Sequence, residues 1–375
     1  MDKTLKDTAI LFFTTAIEHT TFRKTAKMLH VEGANIHIIG FTRNNFPENQ
    51  MDGLSIECLG TLSHGNYFSR MIKLFKFLFL LRKRAHRYDV IYNFTLDTLI
   101  ISKLALLFKR KKWIYQVQDI RTIYFENSIK SKFTRFLESV FIKRINLLVL
   151  SSEDYYTGYY KINYDISKDK VQVIENKLVR ESVLPTPIPR TDNKLIRIGY
   201  FGVMRCRRSW EILKSFTEKN TDKFALLLRG KPVVIPNIEE EISGSNNIVF
   251  EGLYRSPDDL NELYNRVDIV WACYPYSENR SCGNWKLART IRFYEACAFG
   301  RPVIVQKGTP QAKDVVKYNI GLVVDMEDVD QCYSALAAIT RQQLSLWEEN
   351  IIKLPSSFYY HDQEYRELLN RIESF

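Results

Sequence analysis

The sequence has no apolar run long enough to cross a lipid bilayer. A membrane-spanning helix needs about 20 consecutive apolar residues, whereas a typical run here, Phe77–Leu81, is much shorter. The N-terminus carries Asp2 close to its start and lacks the small-residue cleavage site of a secretory signal. We therefore predict a chain without a transmembrane helix and without a signal peptide.

The chain is also poor in cysteine, and its cysteines do not form a recognisable set. There is no Cys-x-x-Cys pair and no zinc-binding spacing. The six cysteines are Cys58, Cys206, Cys273, Cys282, Cys297 and Cys332. Scattered cysteines of this kind are typical of buried thiols in a reducing compartment. The sequence therefore favours a cytoplasmic protein.

Positive charge is in excess, and the excess lies in one half of the chain. Residues 1–180 contain 29 Lys and Arg against 17 Asp and Glu, whereas the remaining residues are close to balance. A basic field on one part of a protein predicts an anionic partner, namely a membrane surface, a polyphosphate or a nucleic acid. Because we find no recognition motif or base-stacking pattern, we do not predict a nucleic-acid partner.

Short apolar segments alternate with helical ones along both halves of the chain. Such strands, separated by helices, predict parallel sheets that are covered on both faces. The predicted strands are Ala9–Thr14, Ile36–Phe41, Val90–Asn93, Trp113–Val117, Leu147–Ser151 and Val171–Ile174, then Ile196–Phe201, Phe224–Leu228, Ile248–Phe250, Asp268–Cys273, Pro302–Val305 and Gly321–Val324. Residues 181–194, between the two series, are rich in proline and have the composition of a linker.

This pattern predicts an α/β protein with two Rossmann-like, doubly wound domains that face each other across a cleft. The first domain spans residues 1–180 and the second spans 195–355. Residues 356–375 are expected to include an amphipathic helix, which either packs within the second domain or crosses back to the first. The apolar side of this helix consists of Tyr365, Leu368, Leu369 and Ile372.

The most specific pattern in the chain is FYEACAFGRPVI, from Phe293 to Ile304. It resembles a helix and strand in the C-terminal domain of GT-B glycosyltransferases, especially the retaining family-4 group, and the match continues through Gly308-Thr309-Pro310. By this resemblance, Glu295 accepts hydrogen bonds from the ribose hydroxyls of a nucleotide-sugar. A carboxylate suits this task because it can take both bonds of a cis-diol. The alternative is a solvated ion pair between Glu295 and Arg292.

Further matches to the same family lie earlier in the second half. By resemblance, Gly202 lets the backbone approach the donor, while Arg205 and Arg208 hold its diphosphate. The alternative for these arginines is a solvated basic turn, and Arg207 is the weaker candidate. The loop from Gly252 to Tyr254 corresponds to the place where the family holds the base, so Tyr254 is also a donor-site candidate.

One position departs from the family pattern. The family has another glutamate eight residues before the one that matches Glu295, and that position is Leu287 here. Its contact to the donor sugar is therefore missing, or Glu278 or Asn279 supplies it. The departure bears on the identity of the sugar more than on the reaction. We also predict one helix over Leu287–Phe299, ended by Gly300.

The sequence does not predict a metal site, and it predicts no cofactor besides the UDP- or GDP-linked sugar that serves as the donor substrate. A metal-dependent transferase would need an Asp-x-Asp triplet at a strand end of its donor site. The triplet present is Asp328-Val329-Asp330, where a helix is expected to begin. Asp328 and Asp330 are therefore predicted to be the N-cap and a first-turn acid of that helix.

The first half resembles the acceptor domain of the same family, although the usual glycine-rich turn after the first strand is absent. The matching residues are Arg23, Ala26, Leu29 and Gly33. His19 is a candidate for lining the cleft, while a lone histidine is more often structural. Asp119 follows a predicted strand at its carboxyl end, where α/β sheets place ligands. It is predicted to orient the acceptor or, in an inverting enzyme, to act as general base; the alternative is a helix N-cap.

The resemblance implies a glycosyltransferase that moves a sugar from a nucleotide diphosphate to an acceptor, with retention at the anomeric carbon and without an essential metal. Two alternatives stay open. A GT-B nucleotide-sugar epimerase would need no acceptor, and the basic first half argues against it. A non-catalytic partner subunit would keep the fold but lose the site, as the missing glutamate and glycine-rich turn allow.

The stretch Arg70–Arg87 combines basic and apolar residues and is predicted to be a helix at an anionic membrane surface. At about 100° per residue, Leu78 and Leu81 fall on the buried face, while Phe77 and Leu80 fall among the cations. That mixture is typical of an interfacial helix, and the alternative is an ordinary covering helix. The membrane interpretation predicts a lipid-linked saccharide acceptor and a peripheral enzyme on the inner face of the plasma membrane, in surface polysaccharide or glycolipid synthesis.

Overall fold

A seven-stranded parallel sheet forms the centre of the first part of the chain. The computed structural model describes residues 8–42, 53–62, 77–180, 194–276 and 283–375. The strands of this sheet are β1 (Ala9–Thr14), β2 (Asn35–Thr42), β3 (Ser55–Thr61), β4 (Val90–Asn93), β5 (Lys112–Val117), β6 (Leu147–Leu150) and β7 (Val171–Val173). They lie in the order β3-β2-β1-β4-β5-β6-β7. The strand order reverses between β1 and β4, which is where such sheets bind ligands at their carboxyl ends.

Helices cover this sheet. They are α1 (Thr20–Val31), α2 (residues 77–84), α3 (Leu96–Ala105), α4 (Ile129–Ile142), α5 (Glu153–Tyr155) and α6 (Lys161–Tyr164), with a π-helical turn, Tyr156–Tyr160, between the last two. Helix α1 shows why these segments fold as they do. Its apolar residues Phe22, Ala26 and Leu29 recur every three or four positions, so they lie on one face and are buried in the core of the sheet.

The structure corrects the prediction for Phe77 in the Arg70–Arg87 stretch. Residues 70–76 lie outside the described part of the chain, and 77–84 are helical. Leu81 is buried as predicted, but Phe77 is buried as well, and its ring stacks on that of Phe13 with the centroids 3.8 Å apart. The exposed aromatic side chain of α2 is Phe79, at 76%. Phe77 therefore belongs to the core rather than to a membrane surface.

A second parallel sheet, with six strands, organises the other part of the chain. Its strands are β8 (Ile196–Met204), β9 (Phe224–Pro232), β10 (Ile248–Phe250), β11 (Ile269–Trp271), β12 (Val303–Gln306) and β13 (Gly321–Val324), in the order β10-β9-β8-β11-β12-β13. The order again reverses, between β8 and β11. The predicted α/β class with two doubly wound parallel sheets is confirmed.

Helices pack on both faces of the second sheet. They are α7 (Arg207–Lys219), α8 (Ile238–Ile242), α9 (Leu260–Asn265), α10 (Ile291–Ala298), α11 (Pro310–Tyr318), α12 (Val329–Ala337) and α13 (Arg341–Ile352). One core contains Trp210 and Trp271, and a separate core contains Tyr264 and Phe293. The inner strands β8, β9, β11 and β12 are thus largely buried on two sides, which explains the near-continuous apolar sequence of these segments.

The chain divides into two compact units that do not follow sequence order throughout. The first unit is Met1–Glu175 together with Gln363–Phe375, and the second is Asn176–Asp362. Residues 181–193, most of the predicted linker, lie outside the described part. The last helix, α14 (Glu364–Glu373), belongs to the first unit, where Tyr365, Leu368 and Ile372 join the core of the seven-stranded sheet.

One strand was missed, and two local predictions had different outcomes. Strand β3 was not predicted. The helix expected over Leu287–Phe299 begins only at Ile291, where the Thr290 hydroxyl accepts a hydrogen bond from the Phe293 N–H. The prediction that Asp328 is an N-cap is confirmed, because its carboxylate accepts a hydrogen bond from the Gln331 N–H at 2.9 Å. Within the described ranges, no helix has both the length and the apolar character needed to span a membrane.

The close approach of β8 and β9 predicts that residue 230 must be glycine. A Cβ atom at Gly230 would lie 1.9 Å from the Gly202 carbonyl oxygen, and φ at Gly230 is +134°. We expect Gly230→Ala to lower the free energy of unfolding by roughly 2–4 kcal/mol, because the paired strands cannot separate without losing hydrogen bonds. The control is Gly244→Ala, where a Cβ atom meets nothing within 4 Å. Urea unfolding measures both variants, and equal stabilities would contradict this interpretation.

Candidate functional site

The carboxyl end of β8 brings the backbone of Gly202 to the edge of the second sheet. Gly202 has φ +88°, a conformation that favours glycine. A Cβ atom on residue 202 would lie 3.7 Å from the hydroxyl oxygen of Tyr254. The structure therefore places two of the predicted donor-site residues beside each other, although they are 52 positions apart in the sequence.

Glu295 is buried in α10 and held by a tyrosine. Its side chain is 5% exposed, and its carboxylate accepts a hydrogen bond of 2.6 Å from the Tyr264 hydroxyl. Burial, and then the negative charge of Glu295, raise the pKa of Tyr264 well above its ordinary range, so the hydroxyl remains a donor. The sequence did not indicate this partner. The carboxylate is thereby held in one orientation.

Tyr254 lies close to the same carboxylate. Burial is the main reason that the pKa of Tyr254 is raised, and the charge of Glu295 is the second reason. Since Tyr254 also lies beside Gly202, the three predicted residues form one group at the edge of the sheet. Asn279 and Glu278, the proposed substitutes for the missing glutamate, lie outside the described residues.

Arg208 stands in the first turn of α7, directly after β8. Its Nε donates a hydrogen bond to the Met326 carbonyl oxygen at 3.0 Å, and one Nη donates to the Glu327 carbonyl oxygen at 3.3 Å. The guanidinium also lies over the Tyr276 ring, 5.7 Å from its centroid. These contacts hold the arginine at the carboxyl edge of the sheet, next to the positive end of the α7 dipole.

The other two arginines of this segment differ from each other. Arg205 is exposed and precedes α7. Arg207 is also exposed, but it forms ion pairs with Glu211 at 3.2 Å and with Glu241 at 3.1 Å. Because Arg207 is already paired with two carboxylates, its charge is less available to a diphosphate. This geometry agrees with Arg207 being the weaker candidate.

From the sequence, Arg292 was expected only as the possible ion-pair partner of Glu295. In the described part of the chain, the two side chains form no ion pair. The Arg292 guanidinium instead lies over the Tyr200 ring, 5.2 Å from its centroid. One of its Nη atoms is buried and has no hydrogen-bond partner among the described residues. Burial raises the pKa of Tyr200 to about 12, against the lowering effect of the Arg292 charge. The spacing of three residues on one helix was the available signal, since it places Arg292 and Glu295 on one face.

Gln306 is a second polar residue that the sequence did not single out. It ends β12 at the carboxyl edge of the second sheet and is 6% exposed. Its side-chain amide oxygen, Oε1, has no hydrogen-bond partner among the residues that the structure describes. A buried polar atom at a ligand-binding edge without a partner is a candidate for contacting a bound molecule.

Asp119 lies in the first unit, two residues beyond β5. The side chain is exposed, and the Tyr155 hydroxyl lies 3.5 Å from its carboxylate and 3.2 Å from the Gln118 carbonyl oxygen. The N-cap position of the turn that follows, Thr122–Phe125, is Arg121 rather than Asp119. The N-cap alternative is therefore wrong for Asp119.

His19 lies at the same edge of the first sheet, because β1 and β5 are both neighbours of β4. It occupies the N-cap position of α1, yet its side chain makes no capping hydrogen bond. The histidine is exposed. The two residues predicted for the acceptor side thus follow strands that are separated by a single strand.

A buried carboxylate supports the segment that carries Asp119. Glu138, on α4, is fully buried and accepts hydrogen bonds from three tyrosine hydroxyls. They belong to Tyr115 at 3.1 Å, Tyr160 at 3.2 Å and Tyr164 at 2.6 Å. The neighbouring Tyr159 contacts the rings of Tyr124 and Phe125, just beyond Asp119. Burial raises the pKa of Glu138 to about 6, although the three hydroxyls act in the opposite direction.

Comparisons with known proteins agree with the fold. No protein-family profile matches the chain. It is 29% identical over 344 residues to the succinoglycan biosynthesis protein ExoL of Rhizobium meliloti (strain 1021), covering 88% of this chain and 84% of that protein. Sucrose-phosphate synthase from Thermosynechococcus elongatus superposes with a TM-score of 0.71, at 13% identity and over 98% of both chains. Anabaena Alr3699/HepE in complex with UDP and glucose superposes with a TM-score of 0.70, at 14% identity, over 98% of this chain and 100% of that chain.

These likenesses extend over nearly the whole chain and therefore cover both units. At such low identity the solved structures establish the fold, which is GT-B. The resemblance in fold to GT-B glycosyltransferases, which the sequence indicated, is confirmed.

The raised pKa of Glu138 predicts a pH-dependent term in stability. Because the folded state binds this proton more tightly than the unfolded chain does, the term is fully present below the ordinary pKa of 4.5 and is lost as the pH rises through about 6. We expect wild-type stability, measured relative to Glu138→Gln, to fall by about 2 kcal/mol in total as the pH rises from well below 4.5 to well above 6. Urea unfolding at several pH values measures the difference.

The control for this measurement is Glu126→Gln, which changes an exposed glutamate of the same unit. Its stability relative to wild type should not show the same loss between these pH values. A Glu138→Gln difference that is independent of pH would contradict the assignment of a raised pKa.

Proposed function

We propose that this GT-B chain is a glycosyltransferase that moves a sugar from a UDP- or GDP-linked donor to a saccharide acceptor in surface polysaccharide or glycolipid synthesis. The observation that carries the proposal is the buried Glu295 carboxylate, oriented by the Tyr264 hydroxyl and grouped with Tyr254 and Gly202 at the edge of the second sheet. The HepE structure, which contains UDP and glucose, supports a nucleotide-sugar as the donor class. The relative named as a succinoglycan biosynthesis protein supports the polysaccharide context.

In this proposal the second unit binds the donor. Glu295 accepts hydrogen bonds from the ribose hydroxyls, and the loop from Gly252 to Tyr254 holds the base. Arg205, Arg208 and the amino end of α7 bind the diphosphate, while Gly202 allows its close approach. Arginine side chains and helix amides then neutralise the negative charge of the diphosphate, which a metal ion would otherwise neutralise. No essential metal is therefore proposed.

The proposed reaction breaks the bond between the anomeric carbon and the diphosphate oxygen. The acceptor hydroxyl forms the new glycosidic bond from the same face, which retains the anomeric configuration. Its proton passes to the departing diphosphate oxygen. The arginines stabilise the negative charge that develops on this leaving group. No residue needs to form a covalent intermediate.

The first unit is proposed to bind the acceptor. Asp119 accepts a hydrogen bond from an acceptor hydroxyl and orients it, and His19 contributes to the same edge of the sheet. We also propose that the acceptor is lipid-linked and that the protein acts at the inner face of the plasma membrane. The excess of positive charge in residues 1–180 supports this location, since that surface is anionic. The Arg70–Arg87 stretch remains a proposed contact, with Phe79 rather than Phe77 as its exposed aromatic residue.

The experiment that tests the function is incubation of the purified protein with a panel of UDP- and GDP-sugars, followed by detection of released nucleotide diphosphate. We expect slow hydrolysis of one donor and loss of this activity in Glu295→Ala. Absence of both binding and hydrolysis across the panel would overturn the proposal. Tight nucleotide binding without hydrolysis or transfer would indicate the non-catalytic subunit, and a changed sugar in the recovered donor would indicate an epimerase.

Arg292 shares a helix face with Glu295 and has a buried Nη without a partner among the described residues, so we propose that it donates to the nucleotide diphosphate. We expect Arg292→Gln and Glu295→Ala each to weaken UDP or GDP binding by roughly 1–3 kcal/mol, the range for a hydrogen bond to a charged group. The matched control is Arg207→Gln, because Arg207 is already paired with Glu211 and Glu241. Titration calorimetry measures all three variants. Equal affinities of Arg292→Gln and Arg207→Gln would exclude Arg292 from the site.

Asp119 tests the acceptor side separately. We expect Asp119→Asn to lower turnover by at least about tenfold, since an amide is a weaker acceptor and orients the hydroxyl poorly. Donor affinity should be unchanged, because Asp119 lies in the other unit. Transfer kinetics and UDP titration of the same preparation distinguish these effects. Normal turnover of the folded variant would show that Asp119 has no role in the reaction.

A further inference from the structure

Helix α4 carries a row of apolar side chains on its outer surface. Their exposed fractions are 88% for Ile129, 60% for Phe133, 60% for Phe136 and 37% for Val140. At about 100° per residue, all four point within roughly 60° of one another. We call these four residues the α4 stripe. Single exposed apolar residues are common, but a contiguous set marks an interaction surface.

The inner face of the same helix is largely polar, although Ile142 is also buried there. Ser131 and Glu138 are fully buried, and Glu138 contacts the tyrosine hydroxyls described above. An ordinary surface helix has the opposite arrangement, with apolar residues inside and charged residues outside. The fold of this unit therefore does not require the apolar character of the α4 stripe. A partner outside the unit is the remaining explanation for it.

More apolar residues stand at the adjacent end of α3. Leu104, Leu107 and Phe108 are 53%, 49% and 94% exposed. Phe108 also has φ +68°, at a helix end where glycine or asparagine is the usual residue. The Lys103 ammonium donates a hydrogen bond of 2.7 Å to the Arg144 carbonyl oxygen, which joins the end of α3 to the end of α4.

The exposed charged residues within α4 and within residues 98–118 are cations, and the exposed acid Glu126 precedes α4. Lys130, Lys132, Lys143 and Arg144 are exposed on or just beyond α4. The one acidic residue of α4 is Glu138, which faces inward. Residues 98–118 contain no acid either, and Lys109 and Arg110 in that range are exposed. The surface is therefore complementary to a partner that is apolar inside and negatively charged at its boundary.

We propose that the α4 stripe, together with Leu104, Leu107 and Phe108, is the surface by which this protein docks on an anionic bilayer. The apolar side chains enter the boundary between headgroups and acyl chains, and the flanking cations meet the anionic headgroups. This inference deepens the proposed function, and it rests on that function only for the identity of the acceptor. Docking itself needs neither the donor site nor turnover.

The charge pattern argues against a second copy of the chain as the occupant. In a two-fold dimer the same surface meets itself, so the exposed cations Lys132, Lys143 and Arg144 would face their own copies with a single exposed acid, Glu126 before α4, to pair with. Helix α2 is the competing membrane surface. In its described part, residues 77–84, it presents one largely exposed aromatic ring, Phe79, instead of a row.

The test is cosedimentation of the full-length protein with vesicles of phosphatidylcholine, with and without phosphatidylglycerol, at low and high salt. We expect wild type to pellet with the anionic vesicles, less at high salt because screening weakens the cation contacts. The variant Phe133→Ser/Phe136→Ser should lower the bound fraction at least about tenfold, since the apolar contribution is lost. Lys132→Gln/Lys143→Gln should reduce binding and also its dependence on salt.

The matched control is Val316→Ser/Ile352→Ser, which removes two exposed apolar residues from the second unit and should leave vesicle binding unchanged. UDP affinity of every variant reports folding and tests the donor site independently, so failure of docking is distinguishable from failure of the proposed function. Wild type remaining in the supernatant with anionic vesicles would overturn the proposal. Loss of binding in Phe79→Ser but not in Phe133→Ser/Phe136→Ser would assign the surface to α2. A wild-type dimer that the double variant converts to a monomer would assign the stripe to a second copy.

Discussion

A parallel sheet must be covered by helices on both faces, and this constraint governs both units of the chain. Crossover connections place helices on the two faces, so the side chains within the strands are used for packing. Groups that act on a ligand can stand only at the carboxyl edge, where strands end and helices begin. Asp119 follows β5, Arg208 follows β8, and Glu295 lies on α10, which follows β11. The positions of the candidate residues are therefore consequences of the sheet topology.

Two buried glutamates are both held by tyrosine hydroxyls, but one is structural and the other is a candidate binding group. Glu138 and Glu295 both accept hydrogen bonds from tyrosine hydroxyls, which keep a buried carboxylate from being left without partners. Glu138 accepts three such bonds and is fully buried, so its hydrogen bonds hold parts of the first unit together and do not reach a ligand. Glu295 stands at the edge of its sheet beside Gly202 and Tyr254. The position at the edge distinguishes a candidate binding group from a structural carboxylate.

Much of the fold was predictable because its signals are local. Strands such as β1 and β4 are continuous apolar runs, and their predicted bounds agree with the structure. The N-cap at Asp328 was predictable for the same reason, since a cap depends on a few adjacent residues. Strand β3 was missed because it is a half-buried edge strand in which Ser, Glu, Cys and Gly interrupt the apolar residues. Its pairing with β2 is a long-range contact that no local pattern reveals.

The candidate site was predictable only in part. A motif identified Glu295, but its partner Tyr264 lies 31 residues earlier, and their contact exists only in the folded chain. The ion pair between Glu295 and Arg292, which was the alternative to a binding role, is absent from the described part of the chain, and the guanidinium lies on the Tyr200 ring instead. Spacing on a helix shows that two residues share a face, but it does not show which other element meets that face. This limit explains why Arg292 was noticed without being assigned a role.

Helix periodicity is limited in the same way for apolar faces. On α4, this limit concerns the proposed membrane surface and its link to the proposed acceptor side. Periodicity predicts which residues share a face of a helix, not which face is turned inward, so Phe77 was placed outside and the α4 stripe was not recognised. On α4, Glu138 lies about 180° from the stripe at 100° per residue. The tyrosines that donate hydrogen bonds to Glu138 include Tyr160. The adjoining Tyr159 packs on the segment beyond Asp119. One set of hydrogen bonds therefore fixes the rotation of α4, turns the stripe outward and supports the segment that carries Asp119.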